Sequence, residues 1–123
     1  VNVSINVLLV DDTKVNQIIG KRILEKLQAT VFLAENGTQA IELCKEKHFE
    51  LIFMDIEMPG INGIETATIL RQKRISYAPI FAVTGHDSQQ TWDACHAALM
   101  TGHLTKPLTL EKVEKIFQKL FGS

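Results

Sequence analysis

A chain of 123 residues falls within the size of one domain, and that length buries about two thirds of its unfolded surface without disulfide or metal staples. Apolar side chains make up 46% and charged ones 22%, too apolar for a disordered tail, and the net charge of −1 gives no global field toward nucleic acid or anionic lipid. No apolar run approaches the ~20 residues of a membrane span, and the N-terminal stretch runs straight into Asp11 and Asp12 with no basic head, so neither a membrane segment nor a signal peptide is expected.

Taken in order, residues 5–10 form a short apolar run that reads as a strand buried on both faces, ending at Asp11-Asp12. Val15, Ile18, Ile19, Ile23 and Leu27 then step at three and four, an apolar stripe on a helix. Residues 30–34 read as the second strand, Asn36-Gly37 as its turn, and Ala40, Ile41 and Cys44 as the second helix, whose Lys-Glu-Lys-His48 end is a solvated face. A third buried strand at 51–54 leads into Asp55. Pro59-Gly60 and Asn62-Gly63 punctuate the way to a helix carrying Ile64, Ala67 and Leu70. Residues 80–83 are the fourth strand, ending in Thr84-Gly85. Ser88 is a cap for a helix over 89–99, where Trp92, Cys95 and Leu99 share one face and read as core. The weakest strand, 103–105, runs into Lys106-Pro107. Leu110, Val113, Ile116, Phe117, Leu120 and Phe121 make the clearest stripe, on a helix that Thr109 caps, with an edge open to a dimer or kinase contact. Cys44 and Cys95 sit in apolar helical patterns and read as buried thiols in a reducing, cytoplasmic setting.

Five strands alternating with five helices predict a doubly wound α/β domain with a parallel sheet, since parallel neighbours need right-handed crossovers. No linker, repeat or low-complexity tract interrupts the chain, so residues 1–123 are expected to be one domain. In such sheets the carboxyl ends of the strands share one edge, where ligands bind. That edge receives Asp11, Asp12, Asp55, Thr84 and Lys106 from four separate segments. Two carboxylates about 4 Å apart repel by ~4 kcal/mol at an effective dielectric of ~20, so three converging acids cost on the order of 10 kcal/mol. A fold of ~5–15 kcal/mol stability needs that offset by protonation, by Lys106 or by a cation. All-oxygen carboxylate ligation with open positions suits Mg²⁺, and with the charge screened one carboxylate is able to attack phosphorus.

Each residue has a plainer reading when taken alone. Asp11-Asp12 is a helix-start acid pair favoured by the dipole, Asp55 a strand-end polar residue, Thr84 a turn hydroxyl and Lys106 a solvated charge. His86, His96 and His103 match no zinc-ligand spacing. The convergence of the acids is what outweighs the plainer readings.

Together these residues resemble response-regulator receiver domains of two-component signalling along essentially the whole chain. Val10-Asp11-Asp12 is similar to the acidic pair after the family's first strand, Phe53-Met54-Asp55-Ile56-Glu57-Met58-Pro59-Gly60 with Asn62-Gly63 to its phosphoacceptor segment, Ala82-Val83-Thr84 to its hydroxyl, and Lys106-Pro107 to its lysine and cis proline. The resemblance implies a flavodoxin-like sheet of order 2-1-3-4-5 and phosphorylation of Asp55. It implies Mg²⁺ held by Asp12 directly, by Asp11 through water, by Asp55 and by the backbone carbonyl of Glu57. Thr84 and Lys106 would grip the phosphoryl oxygens. Asp11-Asp12-Thr13-Lys14-Val15-Asn16-Gln17 and Met54-Asp55-Ile56-Glu57-Met58-Pro59 look most like receivers of hybrid histidine kinases, so the expected partner is a histidine kinase or histidine phosphotransfer protein. Direct nucleic-acid and membrane contacts are not expected, and a weak homodimer is compatible. If the chain is excised from a hybrid kinase, the parent is a protein-histidine kinase, and the domain lies in the cytoplasm.

Two positions depart from the pattern. His103 stands where the family has the Tyr or Phe that swings inward with Thr84, which points to a weaker or pH-sensitive switch. His86, with Glu57, occupies a position that in the family tunes attack of water on the acyl phosphate, so the resemblance implies such a role here. Other classes fit less well. A dehalogenase-type phosphatase needs an inserted cap, a flavin site needs a hydroxyl- and Gly-rich loop where this chain has two carboxylates, and a degenerate docking module would not keep every chemical residue.

Overall fold

The computed structural model describes residues 5–86 and 88–122; residues 1–4, 87 and 123 lie outside it. Among the described residues β1 (Ile5–Val10), α1 (Lys14–Lys26), β2 (Ala29–Ala34), α2 (Gly37–Glu46) and β3 (Leu51–Asp55) are followed by α3 (Gly63–Gln72), β4 (Ile80–Thr84), α4 (Gln89–Ala97), β5 (Gly102–Thr105) and α5 (Leu110–Phe121). The strands make one parallel sheet in the order β2-β1-β3-β4-β5, as the alternation and the resemblance imply.

The period-two alternation of the strands divides the core. Leu8, Val10, Ile52, Met54, Ile80 and Ala82 face the side covered by Ala40, Cys44, Ala67, Leu70, Cys95 and Ala98. Val7, Leu9, Leu51, Phe53, Phe81 and Val83 face the side covered by Leu24, Val113 and Ile116. Each large side chain so buried stabilises the fold by roughly 1.5–3 kcal/mol. The three central strands are buried along nearly their whole length, whereas β2 alternates with exposed positions and β5 is only half-buried. The expectation that all five are buried on both faces fails at these two, because they are the edges of the sheet.

Two helical readings also change. The buried face of α1 is Gln17, Gly20 and Leu24, while Val15, Ile18 and Ile19 of the apolar stripe are exposed. Gly20 lets α1 settle on Leu9, whose Cδ2 lies 2.6 Å from where a Cβ would stand, so the close face follows the small residue rather than the apolar spacing. α4 ends two residues short of the predicted limit. Leu99 takes φ 61° after the helix and is 66% exposed, so it leaves the face on which Cys95 is buried. Gln28, Arg74 and Leu99, each just past a helix, adopt the left-handed conformation that closes a helix end.

Candidate functional site

The order of the sheet reverses between β1 and β3, and the candidate residues gather at that carboxyl edge. Val10 pairs with Met54, so Asp11 and Asp55 leave the sheet side by side. Asp55 pairs with Val83 and Thr84 with Thr105, which sets Lys106 immediately beyond; its amide donates to the Thr84 carbonyl at 2.8 Å. The strands thus run one residue further than their apolar patterns, and Asp55 and Thr84 are their last members.

One carboxylate oxygen from each of Asp11, Asp12 and Asp55 lies within 4.8 Å of the others. Asp11 and Asp55 are buried, at 5% and 1% exposure, and Asp12 is exposed. Asp11 is more than a helix-start acid. Its Oδ1 accepts from the Thr13 amide at 2.9 Å and its backbone carbonyl from buried Gln17 Nε2 at 2.6 Å, so the turn into α1 is built on it.

The phosphoacceptor candidate is seated by α3. Asn62 caps that helix in a reciprocal capping box with Glu65, and Gly63, read above as a turn residue, is its first helical position. A Cβ on Gly63 would stand 2.3 Å from the Asp55 carbonyl oxygen, so only glycine lets the helix start abut the strand end.

Within the Asp55 carboxylate the two oxygens differ. Oδ1 accepts from Lys106 Nζ and from the Glu57 amide, each at 3.1 Å. Oδ2 is buried and has no hydrogen-bond partner among the described residues. Leaving such an acceptor unmet costs about 1–3 kcal/mol, more when charged, so an orphaned oxygen in an otherwise paired cluster marks a place for a ligand. Burial raises the Asp55 carboxyl above its ordinary range; Lys106 opposes this and Asp11 adds to it. Burial works to lower the Lys106 ammonium, but its bond to Asp55 and the fields of Asp55, Asp11 and Glu57 prevail and raise it. Three carboxylates with a bare buried oxygen are a hard donor set that fits a divalent cation such as Mg²⁺.

The remaining candidates form a second tier. Thr84 Oγ1 lies 3.4 Å from Glu57 Oε1 and 3.3 Å from the His86 carbonyl, and Glu57 Oε1 also accepts from the Gly85 amide at 3.2 Å. His86 Nε2 is 3.7 Å from Glu57 Oε2, and both side chains are largely exposed. The Lys106-Pro107 bond is cis, as the resemblance implies. His103 sits apart from this group, half-buried opposite Ala82, with its ring 4.3 Å from that of Trp92. Sequence reasoning missed the Glu57 side chain as the tie to Gly85, and it missed Lys112, whose ammonium bonds the Thr105 and Pro107 carbonyls. Lys112 carries no signal, since a lysine in the first turn of an amphipathic helix reads as solvated.

Comparison with known proteins agrees with this geometry. The family model described as response regulator receiver domain matches residues 7–118. Hybrid signal transduction histidine kinase E of Dictyostelium discoideum is 36% identical over 122 residues, covering 95% of this chain and 7% of that protein. The autoinducer 1 sensor kinase/phosphatase LuxN of Vibrio campbellii is 35% identical over 116 residues, covering 94% of this chain and 13% of that protein. The chain therefore spans a small fraction of the length of the curated relatives it matches. Among solved structures, the receiver domain of the Saccharomyces cerevisiae response regulator Ssk1, crystallised with the histidine phosphotransfer protein Ypd1, superposes with a TM-score of 0.90 at 31% identity, over 98% of this chain and 90% of that one. The receiver of a Pseudomonas aeruginosa sensor histidine kinase, with a magnesium ion coordinated in its active-site cleft, gives a TM-score of 0.85 at 29% identity, over 98% and 100%. By its matched length, its sheet order and its acidic edge, this chain belongs to the response regulator receiver domains.

Proposed function

We propose that Asp55 is the phosphoacceptor of this receiver and that Mg²⁺ is its cofactor, held by Asp11, Asp12, Asp55 and the Glu57 backbone carbonyl. The observation that carries the reading is the asymmetry of Asp55: Oδ1 is held by Lys106 and the Glu57 amide, and Oδ2 is buried without a partner beside two further acids. When bound, Mg²⁺ supplies positive charge that offsets the converging carboxylates and the incoming phosphoryl oxygens. An Asp55 oxygen forms the bond to phosphorus as the P–N bond of a phosphohistidine breaks, and the imidazole leaves with the electron pair. Lys106 balances charge on the transferred group, and Thr84 exchanges its present contacts with Glu57 and the His86 carbonyl for a phosphoryl oxygen. That exchange pulls on the loop after β4. His103, packed on Trp92 of α4, is the switch position that passes the movement to the outer face. Glu57 and His86, exposed and 3.7 Å apart beside Thr84, set how readily water reaches the acyl phosphate.

The donor is a histidine-bearing partner, a kinase or a phosphotransfer protein, and the domain works in the cytoplasm as one unit over residues 1–123. No described helix is long and apolar enough to cross a membrane. Val15, Ile18 and Ile19 of α1, the helix that follows Asp11-Asp12 in the chain, are exposed at 62%, 52% and 47% and offer an apolar contact to such a partner. The Ssk1 receiver that pairs with Ypd1 has the same fold over 98% of this chain.

Incubation with a small acyl phosphate or a phosphorylated histidine protein tests the reading. Mass spectrometry should find one phosphoryl group on Asp55, dependent on Mg²⁺ and abolished in Asp55→Asn. Undiminished labelling of Asp55→Asn, or labelling equal in the presence of a chelator, rejects it.

A further inference from the structure

Lys106 lies between two carbonyls that a second lysine holds. The Lys112 ammonium donates to the Thr105 carbonyl at 2.8 Å and to the Pro107 carbonyl at 3.0 Å, and the Lys106 amide between them donates to the Thr84 carbonyl at 2.8 Å. The need for a side chain here follows from the topology. Among the described residues β5 is the edge of the sheet, so no further described strand supplies amide donors on its outer side, and Pro107 has no N–H to offer its neighbours. Backbone carbonyls in such a place are met by a side chain or by water.

Lys112 is itself held in place. It stands in the first turn of α5, where its amide donates to Thr109 Oγ1 at 3.3 Å, and Val113 next to it and Ile116 are buried in the core. A chain of fixed contacts thus runs from the core, through α5 and the Lys112 ammonium, to the backbone on either side of Lys106. We propose that Lys112 is a positioning residue, fixing that backbone and so setting how closely the Lys106 ammonium approaches Asp55 Oδ1, 3.1 Å away, and the oxygens of a phosphoryl group on Asp55. The inference rests on the phosphoacceptor reading above. Lys112 touches neither Asp55 nor the transferred group; it acts through Lys106.

Lys112→Met keeps the aliphatic stem and removes the donors, and Lys112→Arg restores donors in a planar fork able to reach both carbonyls. Four quantities are measured on this chain: the rate of Asp55 phosphorylation by acetyl phosphate with Mg²⁺, the affinity for beryllium trifluoride with Mg²⁺, the calorimetric affinity for Mg²⁺ alone, and the melting temperature. The ¹⁵N resonance of the Lys106 ammonium reports its contact with Asp55. Lys112→Met should slow phosphorylation and weaken beryllium trifluoride binding by roughly 10- to 100-fold, the scale on which a misplaced group costs rate. The Lys106 resonance should shift, Mg²⁺ affinity should stay unchanged, and Lys112→Arg should recover most of the loss. A wild-type rate and unshifted resonance in Lys112→Met overturn the inference. So does a loss shared by Mg²⁺ affinity and melting temperature that Lys112→Arg does not repair, which marks a general structural role. Failure of the wild type itself to take a phosphoryl group instead overturns the phosphoacceptor reading beneath it.

Discussion

Replacing Asp55 by asparagine tests whether the acids at the sheet edge repel one another as their geometry requires. Asp55 and Asp11 have carboxylate oxygens within 4.8 Å, which at an effective dielectric of ~20 is a repulsion of about 3.5 kcal/mol. Asp12 adds a smaller amount, because it is exposed and screened. Against this, Lys106 at 3.1 Å attracts Asp55 by about 5 kcal/mol on the same scale. Removing the Asp55 charge therefore relieves nearly as much as it forfeits, and without metal Asp55→Asn should match the wild type at pH 7 within about 2 kcal/mol. Mg²⁺ separates them. At one hundred times its dissociation constant it stabilises the wild type by ~2.7 kcal/mol, and the stabilisation of Asp55→Asn at the same concentration should be markedly smaller because one ligand charge is gone. The pH dependence has a definite sign. Burial raises the folded carboxyl above its ordinary range, so its contribution to stability is present at acid pH and is lost as pH rises through the folded value. On acidification the wild type should therefore gain relative to Asp55→Asn. Calorimetric melts of both proteins, with chelator and with Mg²⁺, from pH 4 to pH 8, supply every quantity. A metal-free Asp55→Asn protein less stable by more than about 3 kcal/mol, or one stabilised by Mg²⁺ as fully as the wild type, would refute the reasoning.

Gly63→Ala drives a methyl group to 2.3 Å from the Asp55 carbonyl oxygen; a urea midpoint should report a loss of about 1–3 kcal/mol, and phosphorylation should slow because the strand end moves with its backbone. Ile18→Asp on the exposed face of α1 should leave the melting temperature nearly unchanged, within roughly 0.5 kcal/mol, and weaken association with a phosphotransfer protein in titration calorimetry; unaltered affinity would clear that face of a docking role. The Cys44 thiol, pushed up to about 11 by burial against the opposing influence of Arg71 and Ser76, should resist iodoacetamide at pH 8 in the folded chain and react once urea unfolds it.

The order of elements was legible because short apolar runs and three-four spacing are local properties, and parallel neighbours with right-handed crossovers leave few ways to arrange them. Asp11, Asp55 and Thr84 were legible as site residues because each follows an apolar run directly, and Lys106 because it follows the weaker fifth strand pattern; parallel strands all end at the same sheet edge. What spacing does not carry is which side of an element meets a neighbour. Val15, Ile18 and Ile19 fit a buried stripe by period, yet α1 turns Gln17, Gly20 and Leu24 inward, since Gly20 permits the close approach to Leu9 and Gln17 satisfies the Asp11 carbonyl. Leu99 fits the α4 face by count but follows the helix end, where the backbone reverses hand. The inequality of the two Asp55 oxygens, the tie from Glu57 to Gly85 and the hold of Lys112 on the carbonyls around Lys106 belong to the tertiary structure alone. Each depends on hydrogen-bond directions between segments distant in the chain or folded back on it, and those directions exist only once the sheet edge and the helix starts have been brought together.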